Sequence, residues 1–374
     1  MIWQALMMSH GGCLRRTKKA AIRVDASSQI GTGHFMRCLT LADSLKKNSV
    51  QTRFVCRNLP DHLCRMLAGK NHELTLLNTV QNDQEMDDLA HAYWLGTSQT
   101  IDAEASIQAL SDQSWDWLIV DHYALDIRWE GKMQKNAKKI MAIDDIADRQ
   151  HDCDVLLDQN FYLEMDKRYI GKVPVRCQLL LGPRYALLRE EFRQLHAQPR
   201  FRNGTVKRIL IFFGGVDIYN YTTCAINAIT RIDIPDLYVD VVIGMLHPFR
   251  NQIEAQCEQH GFICHIQTDK MATLMAAADL AIGAGGVASW ERCALGLPAI
   301  VRIVAENQLE CADALSSAGA IIKLSDSGDV SQDILNAIES LMQAQNQLIS
   351  LSTSAYKIME SWTGNEVANI LMAG

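Results

Sequence analysis

Two glycines, a histidine and an arginine come close together near the start of the chain, as Gly31, Gly33, His34 and Arg37. A strand-like apolar pattern precedes them and a helix-like pattern follows. The turn is therefore predicted to open a helix, whose free backbone amides can bind an anion. A histidine at the mouth of a cleft can act as a general base near neutral pH. Glycines also serve tight turns that bind nothing, and the spacing alone leaves both interpretations open.

A second glycine cluster follows a strand-like run and leads into a helical pattern that carries Glu291. Such a turn offers free amides to a diphosphate, and an acidic residue on the helix can accept hydrogen bonds from ribose hydroxyls. The alternatives are a turn that lets the helix pack closely on the sheet, and an acidic residue that complements the helix dipole. The predicted nucleotide-binding residues are Gly285, Gly286, Val287, Ala288, Ser289 and Glu291.

Two further loops are predicted to face the same cleft. Gly214 and Gly215 end one strand pattern, and residues 306–308, which are Glu306, Asn307 and Gln308, follow another. Amide and carboxylate side chains suit the hydroxyl and acetamido groups of a sugar, although they also suit ordinary loop capping. Tyr123 closes a strand in the first half and is expected to lie across from His34.

Metal and cofactor sites are not predicted. An acidic stretch with Asp144, Asp145, His151, Asp152 and Asp154 could suggest a metal site, but it lacks tight ligand spacing and is interpreted as solvated turns. The 11 cysteines are scattered singly, which fits neither a disulfide framework nor a zinc site. A reducing compartment, the cytoplasm, is therefore expected.

Strand and helix patterns alternate along the chain and predict an α/β protein with two doubly wound, Rossmann-like domains. A polar stretch at residues 196–205 separates domains over 21–200 and 201–374, and the division leaves open that the last helix crosses back to the first domain. Residues 1–20 are interpreted as a disordered extension, with Met7 or Met8 as alternative starts. The predicted strands are 21–25, 51–56, 118–121, 139–143, 155–157, 208–213, 239–243, 280–282 and 297–304.

Composition narrows the classes of partner. The chain has 43 acidic and 36 basic side chains and a formal charge of -7, which argues against a surface that neutralises nucleic-acid phosphates. No apolar run approaches the roughly 20 residues of a membrane span. With 48% hydrophobic residues the chain can bury a large core. The expected partner is a small molecule, and the oligomeric state is left open, a monomer included.

Five motifs occur in a fixed order: IGTGHFMRCL at 30–39, IDDIADR at 143–149, DQN at 158–160, LGPRYALLR at 181–189, and WERCALGLP at 290–298 with ENQ at 306–308. This ordered set resembles the UDP-sugar hydrolase family of the pseudaminic acid pathway, from about residue 21 to the C-terminus. That family removes UDP from UDP-2,4-diacetamido-2,4,6-trideoxy-beta-L-altropyranose.

The resemblance implies a GT-B fold, similar to the N-acetylglucosamine transferase of peptidoglycan synthesis, with UDP held mainly by the second domain and no metal. It implies that His34 activates water for an inverting attack on the anomeric carbon, with Tyr123 beside it. Glu291 matches a ribose-binding acid, and Asn307 and Gln308 match a sugar-contacting loop.

The sequence departs from the family at two places. Val287 and Ala288 stand where many relatives carry hydroxyl residues, and Ile218 replaces a frequent proline. Contacts to phosphate are therefore expected from the backbone. The rival interpretations are a glycosyltransferase that uses the same donor, a hydrolase of a different diacetamido sugar, and a non-catalytic protein that binds nucleotide sugars.

Overall fold

The computed structural model describes residues 17–27, 29–78, 87–200, 202–325 and 328–374. The first strand starts at Lys19, two residues before the predicted start of the first domain. Ala20 and Ala21 are fully buried in it, and the Lys19 amide donates to Asp116 Oδ2. The basic residues around position 18 obscured this start in the sequence, and residues 1–16 of the expected extension lie outside the described residues.

The first half of the described chain forms one parallel sheet in the order β3-β2-β1-β4-β5-β6-β7. Its strands are β1 (Lys19–Val24), β2 (Gln51–Cys56), β3 (Glu73–Leu76), β4 (Trp115–Asp121), β5 (Ala137–Ile143), β6 (Val155–Asp158) and β7 (Gln178–Leu181). Every residue of β4 is buried, as in a parallel strand covered by helices on both faces. The helices are α1 (Gly33–Lys47), α2 (Asp61–Gly69), α3 (Gln99–Ala109), α4 (Ile127–Met133) and α5 (Glu190–His196).

The second half repeats this topology in a sheet with the order β10-β9-β8-β11-β12-β13. Its strands are β8 (Arg208–Phe212), β9 (Tyr238–Ile243), β10 (Ile263–Ile266), β11 (Leu280–Ala284), β12 (Ala299–Arg302) and β13 (Ile322–Lys323). The helices are α6 (Tyr221–Ile229), α7 (Arg250–His260), α8 (Met271–Ala277), α9 (Val287–Ala294), α10 (Leu309–Ser317), α11 (Val330–Gln343), α12 (Gln345–Met359) and α13 (Glu366–Ala373). The prediction of two doubly wound sheets is confirmed.

The end of the chain returns to the first sheet. Helix α13 packs on α1, and the Trp117 indole donates to Leu371 O at 2.9 Å. The Trp362 indole donates to Ala186 O at 2.8 Å. This bond joins the C-terminal segment to the chain just before α5. Within the described residues, every helix is too short or too polar to cross a membrane.

Candidate active site

The predicted site residues follow the strands at which each sheet reverses its strand order. In the first sheet β1 and β4 are neighbours, and in the second β8 and β11 are neighbours, each pair being flanked by strands that run outward in sequence. Ligands of doubly wound folds bind beyond the carboxyl ends of such strand pairs. His34 follows β1 and Tyr123 follows β4, whereas Gly214 follows β8 and Gly285 follows β11.

His34 and Asp121 form a buried hydrogen-bonded pair in the first domain. His34 is the second residue of α1, and its Nδ1 lies 2.6 Å from Asp121 Oδ1 at the end of β4. An ionised carboxylate can only accept, so this short contact places the imidazole proton on Nδ1. Arg37 Nη2 also lies 3.2 Å from Nδ1, but it donates to Asp121 Oδ1 at the shorter distance of 2.7 Å. Nε2 has no hydrogen-bond partner among the residues that the structure describes, and it can therefore accept a proton from water.

Arg37, one turn further along α1, holds the carboxylates of this cluster together. Its Nε and Nη2 donate to Asp121 at 2.6 and 2.7 Å, and its Nη1 donates to Asp145 Oδ2 at 2.7 Å. Burial alone would raise the pKa of Asp121, but Arg37 and His34 lower it by more. The pKa of this carboxyl therefore lies below its usual range, and the group is ionised at neutral pH. Arg37 was predicted to contact substrate; in this geometry its guanidinium binds the two carboxylates.

Tyr123 stands directly beside the imidazole. The ring centroids of His34 and Tyr123 are 4.6 Å apart in an edge-to-face arrangement, as the sequence predicted. The phenol donates to Asp145 Oδ1. Burial and the Asp145 charge raise the pKa of Tyr123 well above its usual value, so the phenol is protonated at neutral pH. It can orient a ligand but cannot serve as a base.

Sequence reasoning missed the aromatic residues that lie against this pair. The short helix Ala92–Trp94 brings the Trp94 ring to 5.4 Å from Tyr123 in a stacked geometry and to 6.0 Å from His34. His91 contacts both Trp94 and Tyr123, at 4.6 and 5.3 Å between ring centroids. The sequences of strand β4 and helix α1 have clear apolar patterns, whereas the segment around the short helix Ala92–Trp94 has none.

The second glycine cluster forms a tight turn between β11 and α9. Gly286 has a φ of +80°, which disfavours other residues. A Cβ on Gly285 would lie 3.0 Å from Gln308 Oε1, so the glycine lets Gln308 lie against the turn. Arg292 stiffens the turn from below by donating to Ala284 O at 2.7 Å and to Ser289 Oγ at 3.1 Å. The turn remains open at Gly286, which is exposed.

The other predicted residues of the second domain surround this turn. Glu291 is 13% exposed and has its Oε1 3.4 Å from Arg189 Nη2; burial raises its pKa although Arg189 opposes the shift. Glu306 and Asn307 are exposed in the short helix Glu306–Gln308. Val287 and Ala288, which follow the exposed Gly286, are half-buried. On the other side, the amide of Gly244 donates to Gly215 O at 3.0 Å, which joins the loops after β8 and β9.

Arg168 connects the two halves of the site. Its Nη2 donates to the backbone oxygen of Asp145 at 3.0 Å, and its Nη1 pairs with Glu310 at 2.7 Å. Asp145 touches both Tyr123 and Arg37, whereas Glu310 lies just beyond the Glu306–Gln308 helix. One side chain therefore spans from the histidine cluster to the sugar-contacting loop predicted in the second domain.

The acidic stretch after β5 is tied into ion pairs. Asp144 pairs with Arg149 at 2.8 Å, and Asp152 pairs with Arg176. The residues that the structure describes contain no group of three or more His, Cys, Asp or Glu side chains able to hold a metal ion. The absence of a metal site stays a prediction for the chain as a whole.

His151 forms pH-dependent ion pairs with two carboxylates near the acidic stretch after β5. Its Nδ1 lies 2.7 Å from Glu130 Oε1, and its Nε2 lies 3.8 Å from Asp144 Oδ2. Burial lowers the pKa of His151, but Glu130 and Asp144 together outweigh it and bring the pKa to about 9. The imidazolium therefore stabilises the loop that carries Asp145.

Stability should fall as this imidazolium loses its proton. The folded pKa lies above the unfolded one, so the contribution is complete below about pH 6.5 and is lost as the pH rises to about 9. The loss should be about 3 kcal/mol in the free energy of unfolding. Denaturant titrations at the two pH values should show this loss in the wild type and in the exposed control His62→Gln, but not in His151→Gln. An equal pH dependence in His151→Gln would assign it to other groups.

The chain is similar in sequence to several known proteins. Residues 212–363 match the model of the glycosyltransferase family 28 C-terminal domain. The chain is 27% identical over 259 residues to the UDP-2,4-diacetamido-2,4,6-trideoxy-beta-L-altropyranose hydrolase of Campylobacter jejuni, covering 69% of this chain and 81% of that protein. It is 29% identical over 145 residues to the spore coat polysaccharide biosynthesis protein SpsG of Bacillus subtilis, covering 38% and 42%.

The fold is also found in solved structures. A crystal structure of MurG from Acinetobacter baumannii superposes with a TM-score of 0.64 and 13% identity, covering 95% of this chain and all of that one. This likeness confirms the predicted GT-B fold. The resemblance inferred from the ordered motifs is confirmed as well, and the chain is a GT-B protein related to nucleotide-sugar enzymes.

Proposed function

We propose that this protein hydrolyses UDP-2,4-diacetamido-2,4,6-trideoxy-beta-L-altropyranose to UDP and the free sugar, which supplies pseudaminic acid synthesis. The relative from Campylobacter jejuni bears the name of this activity. In the proposed reaction water attacks the anomeric carbon, the sugar C–O bond breaks, and the configuration inverts. The partner is thus a small-molecule UDP-sugar, and the expected location is the cytoplasm.

The observation that carries the proposal is the buried His34–Asp121 pair. Asp121 fixes the proton on Nδ1, which leaves Nε2 as the nitrogen that can take a proton from an attacking water. A nucleophilic water needs such a base, whereas a pure binding site does not. Tyr123, which keeps its own proton, would orient the water or the sugar.

The second domain would hold UDP and stabilise its leaving charge. The exposed turn at Gly285 and Gly286 leads directly into helix α9. The free backbone amides at the start of this helix can therefore bind the diphosphate. UDP is a good leaving group, for which charge stabilisation matters more than protonation. Gln308, which lies against Gly285, and the exposed Asn307 are within the same loop region and suit acetamido and hydroxyl groups.

The proposal is tested by following purified protein and UDP-diacetamido sugars by NMR without any acceptor. We expect release of UDP and a first-formed sugar of inverted configuration. A glycosyltransferase is the alternative that the family 28 match favours, and it would release UDP only when an acceptor is added. Binding without turnover under both conditions would identify a non-catalytic protein, and turnover of a different diacetamido sugar would change the substrate.

Replacing Glu291 with alanine should weaken UDP binding by about 1 to 3 kcal/mol, because a partly buried carboxylate that accepts from the ribose hydroxyls would be lost. Calorimetry with UDP measures this effect directly. Glu339→Ala, an exposed glutamate of the same domain, is the matched control and should bind UDP like the wild type. Unchanged affinity in Glu291→Ala would move the ribose contact elsewhere.

A further inference from the structure

Residues 91–99 carry buried polar side-chain atoms to which the proposed chemistry assigns no role. Trp94 Nε1 and His91 Nδ1 are buried, and neither has a hydrogen-bond partner among the described residues. Thr97 Oγ1 and Gln99 Nε2, a few residues further on, are also buried and also have no hydrogen-bond partner among the described residues. A buried polar atom without a partner is costly, so a concentration of such atoms in one short segment points to a partner that binds there.

These atoms lie at the histidine that the mechanism uses. Trp94 stacks on Tyr123 and meets His34 edge-on, and His91 contacts both Trp94 and Tyr123. These four rings, the base His34 among them, form a continuous aromatic wall. Burial lowers the pKa of His91, so this imidazole is neutral at neutral pH. Charged groups next to the wall include Asp121 and Arg37 at His34, Asp145 at the Tyr123 phenol, and Arg149, whose guanidinium lies 5.7 Å from the Tyr123 ring centroid.

We propose that His34, His91, Trp94 and Tyr123 form the wall on which the sugar of the substrate binds, and that the Trp94 indole donates to an acetamido carbonyl. This inference rests on the proposed function. The water activated by His34 must reach the anomeric carbon, so the sugar ring has to lie against these rings. The C–H face and methyl groups of a deoxygenated, N-acylated sugar pack well on aromatic rings, and its carbonyl oxygens can accept the unpaired N–H.

The wall should also rearrange when the sugar binds. Both unpaired nitrogens are covered, so the sugar can reach the indole N–H only if the short helix Ala92–Trp94 turns outward. Trp94 fluorescence should therefore change on binding of the UDP-sugar and remain unchanged with UDP alone. This readout depends on binding and not on turnover.

Trp94→Phe tests the donor while keeping an aromatic ring in place. We expect KM for the UDP-diacetamido sugar to rise about 10-fold, with kcat within about threefold of the wild type and UDP affinity unchanged. The fluorescence change on UDP-sugar binding should disappear. Tyr93→Phe is the matched control, because Tyr93 is the exposed neighbour on the same short helix, and it should behave like the wild type.

The outcomes separate the two proposals. If the wild type gives the fluorescence change but no hydrolysis, the sugar wall is supported and the hydrolase function is wrong. If the wild type hydrolyses the sugar nucleotide and Trp94→Phe keeps the wild-type KM, the wall is overturned and the hydrolase function stands. A loss of UDP affinity in Trp94→Phe that matches the rise in KM would also overturn it, by placing the indole against the nucleotide.

Discussion

Replacing His34 with asparagine should lower turnover about 10²- to 10⁴-fold, the usual contribution of a general base. The imidazole is held by Asp121 with Nε2 left to accept a proton, and the Tyr123 phenol beside it keeps its own proton. UDP affinity should stay nearly unchanged, because the nucleotide is expected on the second domain. Binding and chemistry should therefore separate in this variant.

The measurement is the turnover number together with calorimetry for UDP. His62→Asn controls for the loss of an imidazole, because His62 is exposed on α2 of the same domain. A folded His34→Asn variant that keeps more than about a tenth of wild-type turnover would make His34 a packing or positioning residue. A parallel drop in UDP affinity would instead place the imidazole against the diphosphate.

Replacing Asp121 with asparagine should reduce turnover by a comparable factor, about 10²- to 10⁴-fold, although Asp121 need not touch the substrate. The carboxylate accepts the Nδ1 proton of His34 at 2.6 Å. An asparagine amide can instead donate to Nδ1, which would move the imidazole proton to Nε2 and remove the lone pair that takes a proton from water. The fold should persist, because Arg37 keeps its bond to Asp145.

Asp145→Asn is the matched variant, since it alters the same Arg37 cluster without touching the imidazole. We expect a clearly smaller loss of turnover from it than from Asp121→Asn. NMR of the imidazole nitrogens should show the tautomer change only in Asp121→Asn. Equal losses with an unchanged tautomer would mean that the two carboxylates act through Arg37 and not by orienting the base.

The sequence predicted those site residues that lie next to strands and helices with clear apolar patterns. Strand β1, the glycine turn and α1 are consecutive, so the position of His34 at a strand end could be inferred, and Tyr123 follows the fully apolar run of β4. Their meeting at 4.6 Å follows from the adjacency of β1 and β4 in the sheet. The two-domain fold was predictable for the same reason, because buried parallel strands produce strong apolar runs.

The features that the sequence did not reveal are edge strands with weak patterns and contacts between residues far apart in the chain. Strands β3, β7, β10 and β13 are short and partly exposed at or near the sheet edges, so their patterns are weak. Asp145 was interpreted as part of a solvated turn, yet it binds Arg37 from 108 positions away. The aromatic wall at His91 and Trp94 is built from a loop, whose side chains meet Tyr123 only through the tertiary fold.

The most direct test of the account is hydrolysis of the UDP-diacetamido sugar in water enriched in oxygen-18, followed by mass spectrometry of both products. Attack of a water activated by His34 on the anomeric carbon should place one labelled oxygen on the sugar and none on UDP at early times. Label in the β-phosphate of UDP would show that the P–O bond breaks and would contradict the proposed mechanism. An absence of both products in the acceptor-free reaction would contradict the hydrolase function itself.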